Sequence, residues 1–283
     1  MLRSLNRARW PGRAACLPTI KATANAVSTV ITQRIGRLLL VGLNRPHRSN
    51  SIDRKTARDL CHVIRNEFEK DENILGGVLY GEGIDFCTGL DFDQLSDEGP
   101  DSFGDAKSVR PMGPTNFAFT KPLVAAITGR AIGGGLELAL ACDLRVAEED
   151  SLLGLHPRKY CMPMMDMGAI RLPALIGLSR ALDLTLTGRS LTASEALQFG
   201  LLNRVAKLGT AVGIAVQMVD TMCNLPGQAA LRADRENLLQ TYALRYDLEK
   251  VEFERALEAL RSESHLGLKV YINELERPAS RRK

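Results

Sequence analysis

A chain of 283 residues, 45% apolar and 25% charged, has room for one large domain or two modest ones and an ordinary globular balance. That excludes a mainly disordered chain, a collagen and a disulfide miniprotein, and no apolar run approaches the ~20 residues of a membrane span. The formal charge of +4 is unevenly placed: residues 1–52 hold no Asp or Glu, and the first acid is Asp53.

Arg3, Arg7, Arg9, Arg13 and Lys21 crowd this acid-free start among Ala, Ser, Leu and Asn. Such a stretch reads as a mitochondrial transit peptide over residues 1–26 and predicts a matrix protein. Without those five cations, the 37 basic residues fall to one fewer than the 33 acidic, so no basic groove for nucleic acid is demanded. Cys16, Cys61, Cys87, Cys142, Cys161 and Cys223 form no CxxC pair, and the histidines form no HExxH. Reduced, packed thiols and no metal are expected. Aromatics are only 5%, so the core should be aliphatic.

In chain order, Ile35–Leu43 is apolar and β-favouring and ends in Asn44-Arg45-Pro46, a strand running into a turn. Asp53–Lys70 has helical spacing at Leu60, Val63, Ile64 and Phe68. Ile74–Tyr80 is a second buried strand. Residues 93–116 are polar and predict a long loop, the most mobile element of the chain. Leu123–Thr128 is a third strand, Leu136–Ala141 a helix and Leu144–Ala147 a fourth strand. Thr192-Ala193-Ser194-Glu195 reads as a capping box. Residues 228–262 carry amphipathic helical pattern with Leu248, Val251, Ala256, Leu257 and Leu260, a stripe that covers either its own core or a partner subunit. Alternating strand and helix followed by a helical third makes the fold class α/β, divided into 1–26, 27–205 and 206–283.

Chemistry concentrates in two strand exits, Gly81–Asp91 (GEGIDFCTGLD) and Ile127–Asp143 (ITGRAIGGGLELALACD). Glycine lets a ligand come close to the backbone, and two N–H groups aimed at one point make an oxyanion hole. The second segment also opens a helix, whose dipole points the same way. Glu137 stands alone in an otherwise apolar helix. Either it is a desolvated acid/base group or it is satisfied by an ion pair with Arg145 or Arg171. The glycines fit neither GxGxxG, because Leu138 occupies the third glycine position, nor a P-loop; GxSxG is absent.

These segments resemble the crotonase superfamily, or enoyl-CoA hydratase/isomerase, over about residues 27–279. The resemblance is carried by Leu43–Pro46 with Asn50, by Phe86-Cys87-Thr88-Gly89-Leu90-Asp91, by Gly133–Leu138 with Ala141-Cys142-Asp143, and by Leu186–Arg189 through Val205. It implies a spiral of ββα turns with a helical C-terminal trimerisation region, and an enzyme that is a homotrimer or hexamer. It implies an acyl-CoA thioester as substrate, with coenzyme A carried by that substrate and no other cofactor. The thioester oxygen would accept from the N–H groups of Leu90 and Gly134, and Glu137 falls at a catalytic carboxylate of family hydratases. Arg45, His47, Arg48, Thr88, Gly89, Asp91, Gly133 and Gly135 would bind substrate, His47 and Arg48 toward the nucleotide. Tyr271 matches the family's C-terminal aromatic, while Glu274 stands where a Lys often follows; either Arg277 substitutes or the phosphate contact is absent.

One departure matters. Where family hydratases carry a second Glu, this chain has Pro157 or Arg158. Downstream, Asp166 falls at or beside a working Asp of dienoyl-CoA isomerases. Glu137 and Asp166 are therefore the expected acid/base pair, with His156 or Arg158 secondary; the other reading of Asp166 is a cap on the helix near Gly168. Hydration of 2-enoyl-CoA or double-bond isomerisation through a stabilised enolate is the expected activity. The alternative is an acyl-CoA-binding or scaffold protein with reduced turnover. Met162, Met164 and Met165 are either an adaptable acyl lining or ordinary core.

Overall fold

The computed structural model describes residues 28–94, 99, 109–243, 252–258, 261, 269–270 and 272–273. The expected presequence, Tyr271, Glu274, Arg277 and most of the 93–108 stretch lie outside them, as do the side chains of Pro157 and Arg158.

The expected first strand is two strands. β1 (Val30–Ile35) and β2 (Leu38–Leu43) pair antiparallel, Ile35 opposite Leu38. Gly36 takes the positive φ of +56° that the two-residue turn needs. β1 escapes the sequence reading because it is an edge strand, with polar residues alternating outward. α1 (Arg54–Val63) is capped by Asp53, whose carboxylate accepts from Thr56 N at 2.7 Å. It runs on into a wider π turn over Ile64–Glu69, so the helix expected over 53–70 is continuous but changes pitch.

β3 (Gly76–Gly81), β4 (Leu123–Ile127), β6 (Leu144–Glu148) and β9 (Arg204–Ala206) add in parallel to β2. The six-stranded order is β1-β2-β3-β4-β6-β9. A second sheet joins β5 (Arg130–Ile132), β7 (Leu152–Gly154) and β8 (Ser190–Thr192) in that order. The chain thus repeats one move: a strand in the large sheet, a strand in the small sheet, then a helix. β4, β5 and α2 (Gly134–Ala141) are one turn; β6, β7 and α3 (Gly168–Ile176) are the next. This is the ββα spiral expected above. α4 (Leu178–Thr187) and α5 (Ala193–Gln198) follow. The capping box is half formed: Thr192 Oγ1 accepts from Glu195 N at 3.3 Å, but the Glu195 carboxylate pairs with Arg189 at 2.8 Å instead of reaching back.

The large sheet is buried on both faces, as a parallel sheet must be. α6 (Ala211–Asn224) lays Ala211, Ala215 and Val219 over Val78, Val124 and Val146. The other face packs on α1 and α2 through Leu60, Leu79, Ala125 and Leu136. α7 (Gln228–Ala243) is tied back by Arg235, which pairs with Asp143 at 2.8 Å and donates to Phe119 O at 2.6 Å. In the helical segment 252–258, Phe253, Ala256 and Leu257 are buried against Met162 and Met165 of the same chain. Of the expected stripe, Ala256 and Leu257 cover the chain's own core, and Leu248, Val251 and Leu260 lie outside the described residues. No helix of the described residues is long and apolar enough to cross a membrane.

Candidate active site

Two backbone segments meet at the C-terminal ends of β3 and β5. In the first, Ile52 N donates to Gly89 O and Asp91 N to Ile52 O. That parallel bridge passes over Leu90, whose own N–H makes no hydrogen bond among the described residues. In the second, Gly133 N donates to Gly154 O, while Gly134 N opens α2 and has no acceptor in that first turn. The segments touch backbone to backbone. A Cβ on Gly135 would lie 2.1 Å from Cys87 O, and one on Gly89, at φ +98°, would lie 3.3 Å from Gly134 N. Leu90, Gly134, Glu137, Met162, Met164 and Asp166 line one cleft of about 440 Å³, counting its open mouth.

Glu137 and Asp166 are almost wholly buried, 3% and 1% exposed. Glu137 Oε1 accepts from the N–H groups of Asp166 and Gly168, both at 2.9 Å. Asp166 Oδ1 accepts from Thr115 Oγ1 at 2.6 Å and Met112 N at 3.1 Å. On each carboxylate the other oxygen takes no hydrogen bond among the described residues. The ion pair weighed for Glu137 does not form. Arg145 donates to Leu201 O and Cys142 O, and Arg171 to Thr115 O and Asp166 O. Nor does Asp166 cap α3; the capping position is Met167.

Burial is the largest cause that holds the Glu137 carboxyl well above its usual range, and the charges of Asp166 and Glu252 add to it. Burial likewise pushes Asp166 up to about 6, against the hydrogen bonds from Thr115 and Met112 and the charges of Arg110 and Arg171. Two neighbouring buried carboxyls, both held above their ordinary range, can share one proton, one ionised while the other keeps it.

The remaining expected site residues divide. Gly133, Gly134 and Leu90 line the cleft, and Gly89 and Gly135 hold its two walls together. Arg45 pairs with Asp91 at 2.8 Å and with Asp53 at 3.1 Å. Thr88 Oγ1 donates to Ser49 O at 3.2 Å. These three brace the loop behind Leu90 and do not line the cleft. His47 is exposed on the 3₁₀ turn Pro46–Arg48, and Arg48 pairs with Asp93. His156 bonds to Ser190 Oγ, away from the cleft. The sequence reading missed Thr115, Arg110 and Glu252. Each sits in a stretch that reads as polar loop or solvated helix face, with no local signal of its inward partner.

Residues 34–276 match the enoyl-CoA hydratase/isomerase family. The enoyl-CoA hydratase EchA19 of Mycobacterium tuberculosis is 30% identical over 261 residues, covering 89% of this chain and 92% of that protein. The short-chain-enoyl-CoA hydratase of Clostridium acetobutylicum is 30% identical over 202 residues, 68% of this chain and 76% of that protein. A solved enoyl-CoA hydratase from Mycobacterium tuberculosis superposes with a TM-score of 0.71 at 30% identity, over 81% of this chain and 88% of that one. These relatives correct the expected localisation. They come from Mycobacterium and Clostridium, bacteria without mitochondria, so the similarity gives the mitochondrial reading no support. The basic, acid-free start misled because composition alone does not distinguish an address from any other cationic tail. With the ββα spiral, the paired strand exits and these matches together, the chain belongs to the enoyl-CoA hydratase/isomerase family of the crotonase superfamily.

Proposed function

We propose that the protein moves a carbon–carbon double bond in an enoyl-CoA thioester, with Asp166 as base and Glu137 as acid. The observation that carries this is the adjacency of two buried carboxyls, both held above their ordinary range by burial, in the cleft that the unengaged N–H groups of Leu90 and Gly134 also line. The thioester oxygen accepts from those two N–H groups. Asp166 takes a proton from C2 of a 3-enoyl ester, and the electron pair moves into the thioester as a dienolate. The negative charge grows on the oxygen that the amides hold, which is where preorganised donors act most strongly. Glu137 then delivers a proton to C4, and the proton on Asp166 passes back to Glu137. The net change is migration of the double bond, with coenzyme A as part of the substrate and no redox step.

Hydration is the second reading, favoured by the relatives named as hydratases. It needs a water held and deprotonated while a proton is delivered, and no carboxylate stands at 157 or 158. Absorbance of the conjugated thioester separates the readings. With 3-enoyl-CoA it is expected to rise; with 2-enoyl-CoA it is expected to hold steady. A fall with 2-enoyl-CoA and no rise with 3-enoyl-CoA would assign hydration. Binding of both esters without turnover of either would overturn the proposal in favour of a carrier or scaffold.

Asp166→Asn is expected to lower kcat at least ~100-fold with little change in KM, the usual cost of losing an acid/base group. Unchanged turnover removes Asp166 from the mechanism. The pH profile follows from the same residue. The base must be ionised, so kcat/KM should fall as pH drops through about 6, and a kcat/KM flat well below that value would contradict the assignment.

A further inference from the structure

Four consecutive amides start α3, and two carboxylates take them alternately. The N–H groups of Asp166 and Gly168 donate to Glu137 Oε1 at 2.9 Å each. Those of Met167 and Ala169 donate to Glu252 Oε2 and Oε1 at 2.8 Å each. The first amides of a helix need acceptors; here α2 supplies one and the C-terminal segment 252–258 the other. Met167, at the centre of the run, is left-handed with φ +70°, a conformation that outside contacts must hold. The segment bearing Glu252 is firmly docked. Phe253 lies under the Arg110 guanidinium, 4.3 Å from carbon to ring centre, and Arg110 Nη1 donates to Met165 O at 3.3 Å.

We infer that Glu252 is a positioning residue for the acid/base pair: from the C-terminal segment it clamps the turn 166–169, and through that turn it sets Asp166 and Glu137 against each other in the cleft. The inference rests on the reading of those two as acid and base. Charge contributes beside reach. The groups facing Glu252 are Asp166 from the turn, Glu137 from α2, Arg171 from α3 and Arg110 from the chain before Met112. Burial foremost holds the Glu252 carboxyl up to about 7, with Asp166 adding and Arg110 opposing. Above that pH its negative charge helps to keep the proton on Glu137. Glu252 thereby widens the range in which Asp166 is ionised and Glu137 is not.

Infrared titration of the protonated carboxyl band, assigned to Glu137 by its loss in Glu137→Gln, reads this without turnover. Glu252→Gln keeps the shape and removes the charge; the Glu137 midpoint is expected to drop by about 1 pH unit or more. The alkaline limb of kcat/KM should move with it. Glu252→Asp keeps the charge and shortens the reach. There the midpoint is expected to stay within about half a unit, while amide exchange at Met167 and Ala169 quickens. A midpoint unmoved in the Gln variant, or moved equally in both, overturns the inference. Unchanged amide exchange in Glu252→Asp overturns the clamp by itself, whether or not the Gln variant folds. If the wild type turns over no enoyl-CoA ester, the assigned reaction fails, and the carboxyl titration and exchange still decide the role of Glu252.

Discussion

Glu137→Gln is expected to lower kcat/KM on enoyl-CoA esters by ~10²–10⁴-fold, because it removes the group that delivers the proton. The loss should be clean. The Gln carbonyl oxygen can still accept from the N–H groups of Asp166 and Gly168, as Glu137 Oε1 does, so α3 keeps its start and the cleft its shape. Stability supplies a second readout with a definite sign. The folded protein holds the Glu137 carboxyl above its ordinary 4.5. Its stabilising contribution is therefore complete below that ordinary value and is lost as pH rises through the raised one. Gln cannot ionise, so the variant should match the wild type in acid and melt at a higher temperature in alkali. Thermal unfolding at about pH 4 and about pH 9 checks this. A variant less stable at the alkaline end would mean that the ionised carboxylate holds the fold together, and the acid role would then be wrong.

Gly135→Ala carries the other large effect. Its new Cβ would sit 2.1 Å from Cys87 O and 2.7 Å from Cys87 C. Both are backbone atoms fixed by strand bonds, Cys87 N to Arg130 O and Ile132 N to Cys87 O, so no side chain can swing aside. The two segments that present the Leu90 and Gly134 amides must part. Losing one oxyanion donor costs ~10²–10³ in kcat, and here both donors move. Overpacking a tight contact adds about 1–3 kcal/mol of instability. Gly134→Ala is the control. Its Cβ would meet Met112 Sδ at 2.5 Å and Cγ at 2.7 Å, atoms of a flexible side chain and not of the backbone, and its effect on kcat should be smaller. Equal losses in the two variants, measured on folded protein, would show that contact between the segments is not what aligns the amides.

Several errors of the sequence reading have local causes. β1 hides because an edge strand shows water one face, and Thr32 and Arg34 look like loop residues. The cap at Thr192 is legible from its hydroxyl, but the fate of Glu195 depends on Arg189, which reaches it across the β8 turn. Arg45 and Asp91 sit in motifs of the family and yet hold each other, because a carboxylate and a guanidinium brought together behind a loop satisfy their charges there.

From the chain alone came the α/β class, the two glycine-bearing strand exits and the lone Glu137 in an apolar helix, while Asp166 as its partner came from the resemblance to the family. Each of those signals lies within a few residues of its cause: a glycine where backbones must touch, a charge where the neighbours are oily. Tertiary structure alone decided how those groups are held. The alternating grip of Glu137 and Glu252 on residues 166–169 joins α2 to a segment from the far end of the chain. The ring of Phe253 beneath Arg110 ties the same segment to the chain before Met112. Hydrogen bonds and burial act over a few ångströms of space whatever the distance along the chain. A surface-looking Glu in a helical stripe therefore gives no sign, until the chain is folded, that it will end beside the chemistry.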